Sequence, residues 1–184
     1  MKPTLLVLTG ASGAGKTTLV ERLAALGLDG VGCYHLDSIG VPNAEEMEKR
    51  FAGGESWQTW ALERWVDRIS RNEDCVALAV LDAQARPTAA LEAGTRHGLT
   101  TRVVLIDCAT DARNARLRDQ RAQPDLANGR MDIWAAYLRG QADALGLAII
   151  DTSDVSIDAS VDELRDRIVR LLHVPSLDVL RSDI

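Results

Sequence analysis

The sequence predicts an α/β protein: a parallel β-sheet covered by helices on both faces. Three observations predict it. Five short apolar runs, each the length of a buried strand, alternate with segments of helical periodicity. A glycine-rich turn, "GASGAGKTT" (10–18), joins the first run to the first helical segment. Four of the five runs end in an aspartate (Asp37, Asp82, Asp107 and Asp151), and sheets of this kind bind ligands at the carboxyl ends of their strands.

Each element has its own signal. "TLLVL" (4–8) is apolar without alternation, as a strand buried on both faces must be, and Leu19, Leu23 and Leu26 then recur at helical spacing until Gly27. "VGCYHL" (31–36) is the second strand, ending at Asp37. "EKRF" (48–51) closes a small acidic helix that Asn43 and Glu46 cap in a box-like arrangement, and Gly53-Gly54 separate it from a longer helix at about 55–70. "CVALAVL" (75–81) is the third strand, and Pro87 suits the first residue of the next helix. "RVVLI" (102–106) is the fourth. A helix from Thr110 carries a burst of arginines and breaks around "AQPDLANGR" (122–130). Met131, Trp134, Ala135, Leu138, Ala142 and Leu145 mark a further helix, with Trp134 on its apolar stripe and Gly146 at its end. "LAII" (147–150) is the fifth strand, and Ser160 with Glu163 forms an S-x-x-E box for a last helix to about 172. The tail "HVPSLDVLRSDI" carries no signal.

At 184 residues, 46% of them hydrophobic, the chain suits one domain over 1–184 rather than two. No apolar stretch approaches the roughly 18–20 residues of a membrane span, and "LLVLTGASG" lacks a signal-peptide cleavage pattern, so the expected location is cytoplasmic, without a membrane partner. Cys33, Cys75 and Cys108 are odd in number, lack C-x-x-C spacing and lie in or beside predicted strands, so they read as buried thiols. A formal charge of −6 argues against a nucleic-acid partner, which a basic face normally recruits. An anionic ligand therefore needs local positive charge. Lysine occurs only at positions 2, 16 and 49, which makes Lys16 conspicuous.

"GASGAGKT" (10–17) fits G-x-x-x-x-G-K-[ST] between a strand and a helix, the context that pattern requires. Gly10, Gly13 and Gly15, with Ser12 and Ala14 between them, let backbone N–H groups turn onto phosphates at the helix N-terminus. Lys16 reaches the β- and γ-phosphates, the Thr17 hydroxyl ligates magnesium, and Thr18 is a further α-phosphate donor.

Beyond this loop, three segments carry a resemblance. "VLDAQARPT" (80–88) resembles the adenylate-kinase segment in which a strand ends in Leu-Asp and an arginine follows four residues later; "VVLIDCATDARNARLRDQR" (103–121) resembles a fourth strand followed by an arginine-bearing helix and a mobile lid; "IIDTS" (149–153) matches the usual ending. Over most of residues 4–172 the chain resembles the P-loop kinases of small molecules and nucleotides. That resemblance implies a three-layer P-loop NTPase sandwich with a five-stranded sheet in the order 2-3-1-4-5, and ATP with magnesium (Mg2+) as donor. It implies an acceptor-binding helical region at about 41–70 and a helical lid at about 113–130. Asp82 would hold magnesium through water and Arg86 would face the transferred phosphoryl group; alternatively, the two form a strand-end ion pair.

Arg113, Arg116, Arg118 and Arg121 suit the charge spread over a phosphoryl-transfer transition state, but one continuous helix, at about 100° per residue, cannot aim all four at one phosphate. Either the helix ends near Arg118 and a lid begins, or part of the group is solvated. By resemblance Arg116 and Arg121 are the preferred catalytic pair, with Arg118 next to contact ATP.

Four of seven aromatics, Phe51, Trp57, Trp60 and Trp65, fall within residues 51–65. Leu62, Trp65, Val66 and Ile69 follow a core stripe, whereas Trp57, Trp60, Arg64 and Arg68 fall on another face. Trp57 and Trp60 beside Arg64 would wall a ring-bearing acceptor, or belong to an ordinary packed subdomain.

Asp37 bears on the reaction. A hydroxyl acceptor must lose its proton during phosphoryl transfer, whereas a phosphate acceptor needs only arginines. By resemblance to gluconate kinase, shikimate kinase, adenylylsulfate kinase and chloramphenicol phosphotransferase, an aspartate at the end of the second strand is the base; otherwise Asp37 satisfies loop amides or supports magnesium. His35 reads as a core or surface histidine. The leading expectation is a kinase that phosphorylates a hydroxyl of a small molecule. Two alternatives are a nucleoside monophosphate kinase and a nucleotide-binding switch or accessory NTPase. The sequence leaves the acceptor and the oligomeric state open.

Overall fold

The computed structural model describes residues 1–173; the tail from 174 lies outside the described residues. Strands β1 (Thr4–Thr9), β2 (Val31–His35), β3 (Leu78–Asp82), β4 (Thr101–Asp107) and β5 (Ala148–Asp151) form one parallel sheet in the order β2-β3-β1-β4-β5. Helices α1 (Lys16–Ala25), α2 (Ala44–Phe51), α3 (Gly54–Arg71), α4 (Pro87–Arg96), α5 (Thr110–Ala115), α6 (Gly129–Ala144) and α7 (Ile157–His173) supply the crossovers and the flanking layers.

The period of two in β1 builds the layers. Leu5 and Val7 point to one face, where they pack with Leu62, Trp65 and Val66 of α3 and Ala90 and Ala93 of α4. Leu6 and Leu8 point to the other, against Leu19 and Leu23 of α1 and Leu164 and Ile168 of α7. Each fully buried leucine contributes about 1.5–3 kcal/mol of burial free energy, so both faces of this central strand are committed. A smaller cluster of Leu105, Leu138 and Ala142 seats α6 on β4.

Three expectations change. β3 begins at Leu78 rather than Cys75, because Asn72 and Cys75 take left-handed conformations (φ 51° and 53°) and the Asn72 side chain bonds both the N–H and the carbonyl of Val76. That turn exposes Cys75, while Cys108 is buried and Cys33 intermediate. The cap of α7 lies four residues before the expected one: the Ser156 hydroxyl accepts from Ala159 N–H at 3.2 Å, Ser160 lies inside the helix and buried, and Glu163 pairs with Arg167 at 2.7 Å. The Asn43 cap is present, with its side-chain oxygen 2.9 Å from the Glu46 N–H, and Pro87 opens α4. No helix among the described residues is long and apolar enough to cross a membrane.

α4 approaches the start of β4 at Gly94, where a Cβ would stand 1.9 Å from Thr101 Oγ1 and 2.8 Å from Thr101 Cβ. Helix propensity alone favours Gly94→Ala by about 1 kcal/mol, but the overlap opposes it by about 1–3 kcal/mol. Gly94→Ala is therefore expected to lower the denaturant midpoint, and adding Thr101→Ala to recover part of the loss. A raised midpoint in the single variant would contradict the close approach.

Candidate active site

After Thr9 the chain turns through residues 10–15 and enters α1 at Lys16. Gly13 takes φ +83°, and a Cβ there would meet Arg113 Cγ and Leu117 Cγ at 2.9 Å, so the segment after β4 lies directly on the loop and only glycine fits. Lys16 is 7% exposed, and its Nζ donates to the Ala11 carbonyl at 3.2 Å, which places the ammonium within the curl of the loop. Burial pushes the Lys16 pKa below its ordinary value, against the opposing pull of Asp82. Thr17 Oγ1 donates to Asp82 Oδ2 at 2.7 Å, and Ser12 Oγ to Gln84 Oε1 at 2.9 Å. Thr18, one residue on, faces solvent.

The sheet register brings β2 to the same point. His35 stands opposite Asp82 across β2 and β3, and its Nδ1 lies 3.4 Å from Asp82 Oδ2. Burial by itself raises the Asp82 pKa, but the His35 hydrogen bond, the Lys16 charge and the Thr17 hydroxyl outweigh it and hold the carboxyl below its usual range. The same hydrogen bond raises the His35 imidazole above its ordinary value. His35 is thus a site residue that sequence reasoning placed elsewhere. β2 ends at His35, the chain enters a 3-10 turn over Leu36–Ile39, and His35 and Asp37 both line one cleft. Two bonds hold that turn: Trp65 Nε1 donates to the Leu36 carbonyl at 3.2 Å, and Ser38 Oγ to the His35 carbonyl at 2.7 Å. Asp37 stays open to solvent on its outer side. The cleft wall desolvates its inner side and the Asp82 charge adds repulsion, so its carboxyl is raised above the ordinary carboxylate range.

These groups line a cleft of about 400 Å³ at the carboxyl ends of β1, β2 and β3. Of the residues expected from sequence, it gathers Ser12, Lys16, Thr17, Asp37, Asp82 and Arg121, and Trp57 closes one side. It adds residues with no linear signal: Gln58 and Gln84, and the apolar Val41, Met47, Leu126 and Met131. Met47 and Met131 come from helices far apart in sequence, which is why only the fold reveals them.

Other expected residues stand outside. Trp60 lies outward against Phe51 with Arg64 over its ring, while Trp57, 4% exposed, lines the cleft from the buried stripe of Ala61 and Trp65, so the expected Trp57-Trp60-Arg64 wall is reduced to Trp57. Arg86 does not pair with Asp82 or enter the cleft; its guanidinium pairs with Glu55 and lies over the Tyr137 ring. Trp134 is only partly buried and stacks on Tyr137. Among the lid arginines, Arg113 is buried and paired with Asp132, and Arg118 is exposed. Arg116 donates to Thr152 Oγ1 at 2.9 Å, and its Nη1 lies 3.9 Å from where a Cβ on Gly15 would sit. Asp107 binds Arg139 at 3.0 Å and Asp151 accepts from Ser153, so those two strand-end aspartates are structural.

Thr17 and Asp82 fit a magnesium ion: a hydroxyl and an ionised carboxylate already 2.7 Å apart, at the mouth of a phosphate-type loop. Among the described residues no three His, Cys, Asp or Glu side chains cluster as a metal cage. A two-ligand site completed by phosphate oxygens and water is the arrangement magnesium favours.

No family model matches the sequence, and no curated protein matches it. Solved structures do. The chain is similar to shikimate kinase from Acinetobacter baumannii in complex with shikimate, with TM-score 0.52 and 17% identity over 92% of this chain and 94% of that one. It is similar to a gluconokinase from Sinorhizobium meliloti 1021, with TM-score 0.56 and 14% identity over 94% and 99%. It is also similar to the Mycobacterium tuberculosis APS kinase in complex with AMPPNP and APS, with TM-score 0.56 and 17% identity over 91% and 98%. At these identities the likeness is one of architecture, and together with the strand order and the loop it shows that the chain has the fold of the P-loop small-molecule kinases.

Proposed function

We propose that the protein transfers the γ-phosphoryl group of ATP, with magnesium, to a hydroxyl of a small molecule. The observation that carries this reading is Asp37: a carboxylate with a raised pKa, facing the cleft that also holds Lys16, Thr17 and Asp82. The backbone N–H groups of residues 10–17 would hold the donor phosphates, with Lys16 inside their curl and Thr17 and Asp82 holding magnesium, which when bound supplies charge neutralisation at the phosphate oxygens. Asp37 accepts the proton that the acceptor hydroxyl loses. Arg121, which lines the same cleft close enough for its charge to act on Lys16 and Asp37, offsets charge on the transferring group. The segment at about 113–130 serves as the lid, and residues 41–70 carry the acceptor side. Neighbours of the same fold act on shikimate, gluconate and APS, which agrees with a small acceptor.

A coupled ADP-release screen over sugars, nucleosides, nucleotides and antibiotics tests the reading. With the best acceptor, Asp37→Asn is expected to lower kcat by roughly 10²–10⁴-fold while ATP affinity is kept. Unchanged turnover with ATP still bound would remove Asp37 as the base. Asp37 works only when ionised, so kcat/KM should fall as pH drops through its raised pKa, an acid limb above that of an ordinary carboxylate.

The arginines are also separable. Arg121→Ala is expected to lower kcat by about 10²-fold, whereas Arg118→Ala, at an exposed position outside the cleft, should stay within about twofold. Equal losses in steady-state kinetics would contradict this sorting.

A further inference from the structure

The cleft has little positive charge to spare. Its lining cations are Lys16 and Arg121, apart from His35, which is already engaged by Asp82. Lys16 sits inside the phosphate loop. Arg121 is close enough for its charge to act on both Lys16 and Asp37, which puts it at the phosphoryl centre rather than at the distal wall. Beyond that centre the wall is Val41, Met47, Trp57, Leu126 and Met131, with Gln58 as the polar group among them.

The cations offered by the surrounding sequence are spent elsewhere. Arg86 is neutralised by Glu55 outside the cleft, Arg64 lies over Trp60 on the outer face, and Arg113 is buried against Asp132. An acceptor carrying a carboxylate or phosphate would meet Asp37, Asp82 and the donor's own phosphates, with Arg121 as the one lysine or arginine besides Lys16 that lines the cleft among the described residues. Like charges so placed cost several kcal/mol, and an anion moved from water toward an apolar wall loses solvation as well.

We infer that the acceptor is an uncharged alcohol, with an apolar ring or chain face that lies against Met47, Trp57 and Met131, and not a carboxylate, a nucleotide or another phosphate ester. This rests on the proposed kinase reading and narrows it. Two thioethers and an indole form an adaptable apolar surface, and the Gln58 amide, able to donate and accept, suits a second hydroxyl or a carbonyl. The same lining removes the nucleoside monophosphate kinase alternative, since a nucleotide acceptor needs the arginines that this cleft lacks.

Matched pairs in which one primary alcohol is replaced by a carboxylate or phosphorylated test it: 1-phenylethane-1,2-diol against mandelate, glucose against glucuronate, and uridine against uridine 5′-monophosphate. Equilibrium binding of each is measured by calorimetry on the full-length wild-type protein with magnesium and a non-hydrolysable ATP analogue. The neutral member is expected to bind at least about tenfold more tightly in each pair that binds, with the phenyl diol the tightest. Anionic members that bind equally or better, or a panel in which no neutral member binds, overturn the inference. Product analysis with ATP judges the kinase reading separately. Neutral alcohols that bind without being phosphorylated would sink that reading and leave the charge inference standing. Anionic acceptors phosphorylated in an Asp37-dependent way would do the reverse.

Discussion

The site hangs on one row of residues across three strands. Leu8 of β1 stands opposite Asp82 of β3, and Asp82 stands opposite His35 of β2. Each strand stops at or just past that row, so the phosphate loop, the Asp82 carboxylate and the turn carrying Asp37 leave the sheet at one level. The row cannot drift. Leu5 and Val7 are committed to one core and Leu6 and Leu8 to the other, and a slip of one residue would exchange the faces. Packing far below the cleft thus fixes the Thr17–Asp82 contact at its floor.

Charges gathered in this way set each other's protonation. Asp82, bonded by Thr17 and His35 and facing Lys16, stays ionised. Asp37 lies a turn away, with no hydrogen bond of that kind and with the Asp82 charge beside it, and is pushed the other way. Two carboxylates separated by environment are suited to two tasks, one as a constant anion for a metal and one as a group that takes up a proton. Lys16, held in the loop and desolvated, balances them only in part. Charge balance in the cleft is therefore tight before any ligand arrives, which is why the lack of further cations bears so directly on the acceptor.

What the sequence made legible is what is local. The phosphate loop can be read because its residues are contiguous and the chemistry needs them in that order. Asp37 and Asp82 can be read because strands end where apolar runs end. His35 could not, because a lone histidine in an apolar run carries no motif and only the sheet register sets it opposite Asp82. Trp57 reaches the cleft from within the core rather than from one face shared with Trp60. Its buried neighbours Ala61 and Trp65 lie one and two turns on, so the buried arc of α3 is wider than the stripe from Leu62 to Ile69 and its edge falls between Trp57 and Trp60. At α7 two serines compete for the cap: the Ser156 hydroxyl takes it by accepting from the Ala159 N–H, and Ser160 is buried inside the helix. Arg86 shows the limit of motif spacing: four residues after Asp82 is where it stands, but Glu55 on α3 decides where its charge goes.

The lid arginines bring local geometry and site together. On a regular helix Arg116 and Arg121 point in different directions, yet α5 ends at Ala115 and widens over Arg116–Gln120, where the Arg121 N–H bonds the Arg116 carbonyl at 3.1 Å. That wider turn rotates the side chains that follow it relative to a regular helix, and Arg121 lines the cleft while Arg116 stays on Thr152. Gln123 N–H then bonds the Leu117 carbonyl and Ala122 takes a left-handed conformation (φ 49°), which ends the helix and turns the chain toward Leu126 on the cleft wall. The base of this segment is packed on the phosphate loop itself, through Arg113 and Leu117 against Gly13 and through Arg116 on Thr152, whose hydroxyl bonds the Ala14 carbonyl at 2.8 Å. The widened turn is what aims Arg121, alone of the four, into the cleft where Lys16 and Asp37 already face each other.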